Sequence, residues 1–302
     1  MVWGMTTDVT NPQSFARHTA YSDPGVHVAL VGALDPQLDA LCATSRNLVA
    51  HYRAELTDLP PERQGEIDSR WVEAILDLDQ SRHPADLMSP RPLADRVAGC
   101  CRDHSLLLAS FLRTHGVPAR TVVGFAGYFA PPFHHDHVVT EWYDGVRWVR
   151  ADPELQAAGF DFDVRDLPTG PGAPFETAAE VWLQYRDGAL DADQYGVDPA
   201  IGPPLRGRDF IAGYVVFQVA HRYGDELLLW DDWFTAPSDD EVDRLAALLV
   251  AADRGGSQSE RALHDWYRSD AQLHPGRQIT QHSPYGTPPV HVNLVTRSVL
   301  PD

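Results

Sequence analysis

Three residues that together can run acyl chemistry through a thiol follow one another in mid-chain: Cys101, His137 and Asp152. Cys101 stands where a loop containing Gly99 passes into the apolar-faced run CRDHSLLLASFLRTHG. The first turn of a helix offers unpaired N–H groups and a positive dipole end, which lower a thiol pKa, favour the thiolate and hold an oxyanion. The plainer alternative is that Cys100 and Cys101 are small buried apolar residues, the usual fate of free cysteine. His137 and Asp152 are linked by hairpin arithmetic. With Asp144-Gly145 as a two-residue turn between HVVTEWY and VRWVRA, Tyr143 faces Val146 and His137 lies directly opposite Asp152. Opposed Cβ atoms are roughly 4.5–5.5 Å apart, so the carboxylate can hold one imidazole nitrogen and leave the other for the thiol. An ordinary polar cross-strand pair is the alternative, and one bulge would break the register.

Other candidates weigh less. The run His134-His135-Asp136-His137 has the residue types of a metal site, but consecutive side chains rarely converge on one ion. We therefore expect neither metal nor cofactor, and read His135 as a pocket residue beside the base. His104, three residues after Cys101 on the same helix, has no orienting group of its own and is read as a pocket or packing residue. The acids Asp231, Asp232, Asp239, Asp240, Glu241 and Asp243 read as a helix start and solvated surface. Trp230, Trp233 and Trp266 read as core.

The elements that must position these groups are legible from periodicity. Apolar residues from Asp35 to Leu56 and from Pro61 to Leu78 recur at helical spacing. The helix that begins at Cys101 closes at Gly116, and Val117-Pro118 cannot continue it. Arg120 to Phe129 reads as a strand, APPFHHD as a loop, and His137–Tyr143 with Val146–Ala151 as a hairpin. Further on, Glu176–Tyr185, Arg208–His221, Ser238–Ala252 and Gln258–Asp270 read as helices. Ser238 caps the third of these, and a His- and Pro-rich tail follows the last.

Composition bounds the function classes. The chain has 302 residues, 43% hydrophobic and 22% charged, an ordinary globular balance. Its net charge is −19, and all 24 cations are arginine, because lysine is absent. Codon bias explains that absence; so does an enzyme that moves acyl groups to amines and gains by carrying none of its own. Such an acidic surface repels phosphate, so nucleic acid and anionic membrane are not expected partners. No apolar run approaches the ~20 residues of a bilayer span, and Met1–Thr6 lacks the layout of a secretory signal. Three cysteines, two of them adjacent, fit a reducing compartment and point to the cytoplasm. Residues 91–150 carry seven arginines and five acids, a net of +2, against −21 elsewhere. Arg91, Arg96, Arg102 or Arg150 in a cleft would suit an anionic substrate group; pairing with nearby acids is the alternative.

The middle segment resembles the transglutaminase-like superfamily of papain-like cysteine enzymes, in its broad bacterial branch. The residues that carry the likeness are Gly99-Cys100-Cys101, Leu112-Arg113-Thr114-His115-Gly116-Val117-Pro118-Ala119-Arg120, His137-Val138-Val139-Thr140-Glu141-Trp142 and Trp148-Val149-Arg150-Ala151-Asp152-Pro153. They span about 60 residues in the family's order. By position, the resemblance implies Cys101 as nucleophile, His137 as base and Asp152 as orienter. It also implies an oxyanion donor upstream, for which Gln80 is the candidate, and Cys100, Arg102 and Trp142 as pocket candidates. Arg102 departs from the tryptophan that follows the cysteine in the protein-crosslinking members. Calcium-loop and paired zinc-cysteine motifs of other branches are not evident.

The resulting expectation is an α+β fold of the papain-like, transglutaminase-core type: a Cys-bearing central helix packed on an antiparallel sheet. Residues 1–90 would form a helical N-terminal segment, 91–155 the catalytic core and 156–302 a mainly helical extension, as one unit. The expected function is acyl transfer or hydrolysis at an amide or thioester, as a peptidase, amidase or amide-forming acyltransferase. The substrate would be a small-molecule, peptide or carrier-bound acyl group. The alternative is a non-catalytic binding or scaffold protein that kept the fold.

Overall fold

The computed structural model describes residues 8–200, 202 and 204–301; the reading of Met1–Thr6 lies outside the described residues. In chain order the helices are α1 (Val28–Gly32), α2 (Leu38–Leu48), α3 (Val72–Arg82), α4 (Cys101–Thr114), α5 (Ala178–Arg186), α6 (Arg208–Arg222), α7 (Asp239–Asp253) and α8 (Ser257–Ser269). Strands β1 (Val49–His51) and β2 (Val97–Gly99) form a parallel pair. The main sheet holds β3 (Ala119–Ala130), β4 (Phe133–Tyr143), β5 (Trp148–Ala151) and β6 (Phe175–Thr177) in the order β5-β4-β3-β6, all antiparallel. A short β7 (Tyr195–Gly196) runs parallel to His134–His135 at its edge. A second small sheet joins β8 (Asp231–Asp232), β9 (Gln278–Gln281), β10 (Val290–Asn293) and β11 (Ser298–Val299).

The chain is α+β, with α4 lying on the antiparallel sheet. Every residue from Cys101 to Arg113 is buried, so this helix is covered on all sides. Its polar side chains must then find partners inside. Ser105 Oγ donates to the Val138 carbonyl at 2.8 Å, and Thr140 Oγ1 donates to the Ser105 carbonyl at 2.9 Å. These two bonds pin α4 to β4, and with it the cysteine helix to the histidine strand. Gly116, at φ +75°, closes the helix: its N–H bonds Arg113 O, and Val117 N–H bonds Leu112 O. One apolar cluster then runs from Tyr21 to Val292.

Three expectations shift. The first helix stops at Leu48, because Val49–His51 pairs with Val97–Gly99 as a strand. The second divides into a 3₁₀ turn, Pro61–Asp68, and α3; between them Arg70 turns inward to hold Asp231 at 2.9 and 2.6 Å. The loop read at APPFHHD is a tight connection at Pro131-Pro132, and His134–Asp136 belong to β4.

The Asp-Gly hairpin is also longer than the arithmetic assumed. Tyr143 pairs with Trp148, not Val146, because Asp144–Arg147 forms a four-residue loop. The Asp144 carboxylate accepts the N–H groups of Val146 at 2.7 Å and Arg147 at 2.8 Å, which stabilises the wider turn. The register moves by two, and two is the period of a strand, so Asp152 keeps its face and meets His137 diagonally.

Gly124 pairs with His137 on one side and Thr177 on the other. A Cβ there would lie 2.2 Å from the Glu176 carbonyl. Gly124→Ala is expected to push β6 off the sheet and cost about 1–3 kcal/mol. Urea denaturation measures it, and wild-type stability would mean that β6 yields without cost.

Candidate active site

Cys100 is the N-cap of α4, and Cys101 is its first helical residue. Asp103 reaches back so that its carboxylate accepts the Cys100 N–H at 2.8 Å, while the Cys100 sulfur accepts from the Asp103 N–H. Gly99 permits this, since a Cβ there would stand 2.7 Å from the same carboxylate. The thiol environment is not the one expected from the helix dipole. Contact with the Cys100 thiol, then burial, then the negative charges of Glu154 and Asp136 push the Cys101 thiol well above its ordinary value. They outweigh the dipole, so the resting sulfur is held protonated.

His137 projects from β4, and its Nε2 lies 2.8 Å from Asp152 Oδ2. Asp152 follows β5 and is fully buried. The Tyr128 hydroxyl donates to Oδ2 at 2.5 Å and the Glu154 N–H donates to Oδ1 at 2.9 Å. Burial pushes the Asp152 carboxyl up, yet the His137 charge and the bonds from His137 and Tyr128 hold it below the usual carboxylate range. Burial pushes His137 down, and Asp152 outweighs that to hold it above the ordinary imidazole value. With Nε2 committed to the carboxylate, Nδ1 is the nitrogen left for chemistry. Rings of Phe129 (5.1 Å between centroids), Tyr128 and Phe175 surround the imidazole.

Cys100, Cys101, His135 and His137 line one cavity of about 460 Å³. Asp152 stands outside the lining, behind His137, and four further sequence candidates do not line it either. Gln80 Nε2 donates to Asp79 at 2.7 Å and to the Ala85 carbonyl at 3.0 Å, so it is spent inside its own helix end. Arg102 does not line the cavity and is fully buried against Asp103 and the carbonyls of Arg70 and Glu226. His104 packs against Ser45 of α2, and burial drives its ring pKa down to about 3. Trp142 lies an odd number of residues from His137, which turns it to the other sheet face, where it packs on the core.

The cavity also holds residues that the sequence reading missed. His51 ends β1 directly beside Gly99, two residues before Cys101, and lines the cavity. Its Nδ1 accepts the Arg53 N–H at 3.2 Å. Burial, then the His137 charge, push its pKa down to about 4. The ring is therefore neutral with its proton on Nε2, a donor in the cavity that Cys101 also lines. Glu154 is another, set two residues after Asp152 by a turn in which its N–H bonds the Asp152 carboxylate; Tyr128, outside the lining, was also missed and holds Asp152 from behind. None of Arg91, Arg96, Arg102 and Arg150 lines the cavity. Arg91 pairs with Asp79, Arg96 lies 3.9 Å from Glu55, and Arg150 pairs with Glu141 and Asp253. Among the described residues, no group of three or more His, Cys, Asp or Glu side chains is arranged to hold a metal ion, and no helix is long and apolar enough to cross a membrane.

A buried helix that begins at a cysteine shares one cavity with a histidine of an antiparallel sheet, whose imidazole bonds a buried carboxylate. Residues 55–153, which include all three groups, match the model of the transglutaminase-like superfamily. Among solved structures, a "Putative Cysteine Protease" from Cytophaga hutchinsonii is similar at 18% identity and a TM-score of 0.32. That alignment covers 50% of this chain and 43% of the other. No curated protein matches the chain.

Proposed function

We propose that the protein is a thiol-dependent acyl-transfer enzyme in which Cys101 attacks the carbonyl carbon of an amide or thioester. His137 Nδ1 takes the thiol proton as the C–S bond forms and returns it to the leaving amine or thiolate; Asp152 positions the ring. The Cys101 N–H and the His51 Nε2–H hold the oxyanion. Water or an amine then resolves the acyl-enzyme, giving a peptidase or amidase in the first case and an amide-forming acyltransferase in the second. The substrate is a small-molecule, peptide or carrier-bound acyl group. The observation that supports this best is the 2.8 Å bond from His137 to Asp152 at a cavity that Cys101 also lines.

The protonated resting thiol requires that His137 act as a base during attack. At pH 7.5, His137→Ala is expected to slow Cys101 alkylation by iodoacetamide about tenfold or more, read by peptide mass spectrometry. Labelling indifferent to His137 would favour a second reading, to which the raised thiol also leans: a binding protein that kept the fold without the reaction.

A further inference from the structure

Glu154 lines the cavity with Cys101 and His137, and its Oε2 is buried without a hydrogen-bond partner among the described residues. The other cavity acids are engaged: Asp136 accepts the Tyr214 hydroxyl at 2.6 Å, and Asp198 accepts the Ala200 N–H at 2.7 Å. Three carboxyl groups face one guanidinium there, that of Arg53, which sits 5.2 Å over the Tyr52 ring. The walls are aromatic, with Tyr52, Phe129, Phe210 and Trp230. Burial of Glu154 outweighs the opposing His137 charge, and aromatic faces attract cations, so this lining suits a cationic occupant and disfavours an anionic one.

We propose that Glu154 is a specificity-determining residue that receives the primary ammonium of an amine-bearing substrate inside the cavity, beside Cys101. The inference rests on the reading of Cys101 as nucleophile. Burial pushes the Glu154 carboxyl up to about 7, so it is part-ionised at neutral pH, and a bound ammonium completes its ionisation. The same cation offsets a negative charge that holds the Cys101 thiol protonated. Substrate entry therefore favours ionisation of the nucleophile.

Charge-selective labelling tests this. Cys101 attacks the sulfenyl sulfur of a methanethiosulfonate, forming a mixed disulfide and expelling methanesulfinate. The 2-aminoethyl (cationic), 2-sulfonatoethyl (anionic) and methyl (neutral) reagents are compared by peptide mapping, each corrected for its rate with a free thiol. In the wild type the cationic reagent is expected to react about tenfold faster than the anionic one, and Glu154→Gln is expected to abolish most of that ratio. Asp198→Asn, which removes one charge from the same cavity, should leave it. An unchanged ratio in Glu154→Gln, or an equal loss in Asp198→Asn, would overturn the proposal. Labelling of Glu154→Gln by the methyl reagent at or above the wild-type rate shows that the variant is folded, since losing the Glu154 charge favours the thiolate; if it is not folded, Glu154→Asp is expected to keep a reduced preference. Labelling by the methyl reagent that ignores His137→Ala sinks the nucleophile reading instead, whatever the charge ratio.

The ammonium can sit on the acyl donor or on the attacking amine, and acetyl-Cys101 formed from p-nitrophenyl acetate separates the two. If n-butylamine yields N-butylacetamide, breaking C–S, forming C–N and returning its proton to the thiolate, the ammonium belongs to the acceptor. If it slows hydrolysis without forming amide, the ammonium belongs to the donor. No effect of n-butylamine at millimolar concentration, with butan-1-ol as the uncharged control, overturns the site.

Discussion

Asp152→Asn is expected to lower Cys101-dependent hydrolysis of p-nitrophenyl acetate by about 10²–10⁴-fold. All of the carboxylate's bonds are accepted ones: Oδ2 takes the Tyr128 hydroxyl and His137 Nε2, and Oδ1 takes the Glu154 N–H. An asparagine amide must set its NH₂ against one of those donors, so either the imidazole loses its orientation or a buried N–H loses its partner. The pH profile distinguishes this from a general loss of structure. Asp152 holds the His137 pKa up against burial. With that charge removed, burial is opposed only by the smaller fields of Glu154 and Asp136, so the midpoint of the rate profile should move to lower pH. A profile that keeps its midpoint in Asp152→Asn would remove Asp152 from the positioning role.

The same pair links stability to pH. Because the folded Asp152 pKa is lowered, its contribution is complete above the ordinary carboxylate range and is lost as pH falls through the lowered value. Because the folded His137 pKa is raised, its contribution is complete below the ordinary imidazole range and is lost as pH rises through the raised value. The window between the two is where the ion pair is intact.

The second large effect concerns Arg102, whose guanidinium bonds Asp103 at 2.8 Å, the Arg70 carbonyl at 2.6 Å and the Glu226 carbonyl at 3.1 Å. Arg102→Met fills similar volume but leaves a buried carboxylate and two buried carbonyls short of donors. The expected loss is about 3–5 kcal/mol, or a fall of roughly 6 °C or more in the melting temperature. Asp103 also caps the helix that begins at Cys101, so the fraying should reach Cys101. Scanning calorimetry measures the shift. A variant that melts with the wild type would show that Arg102 is dispensable to the core and reopen its place as a substrate contact.

Local physics explains what was legible beforehand. The cysteine helix announces itself by a glycine before it, an apolar face, and Gly116 followed by Val117-Pro118 after it. Ser238 with Glu241 at the third helical position writes the α7 capping box. The order Cys101, His137, Asp152 along helix, strand and hairpin follows from the same short-range signals. Even the mistaken turn length left Asp152 on the right face, because strand periodicity tolerates a slip of two.

What stayed hidden depends on groups far apart in the chain. Nothing near Gln80 says that its amide is consumed by Asp79 and Ala85, and nothing near His51 says that a parallel pairing with Gly99 carries it to the cavity. The direction of the thiol shift needs the positions of Cys100, Glu154 and Asp136 at once. Arg102 turns inward because Glu226, 124 residues away, presents a carbonyl to it. Backbone propensity, capping and period act over a few residues and can be read from the chain. Burial and the fields of distant charges exist only once the chain has closed on itself, and in this protein they decide which arginines become core, which histidine becomes a donor and which carboxyl lines the cavity without a hydrogen-bond partner among the described residues.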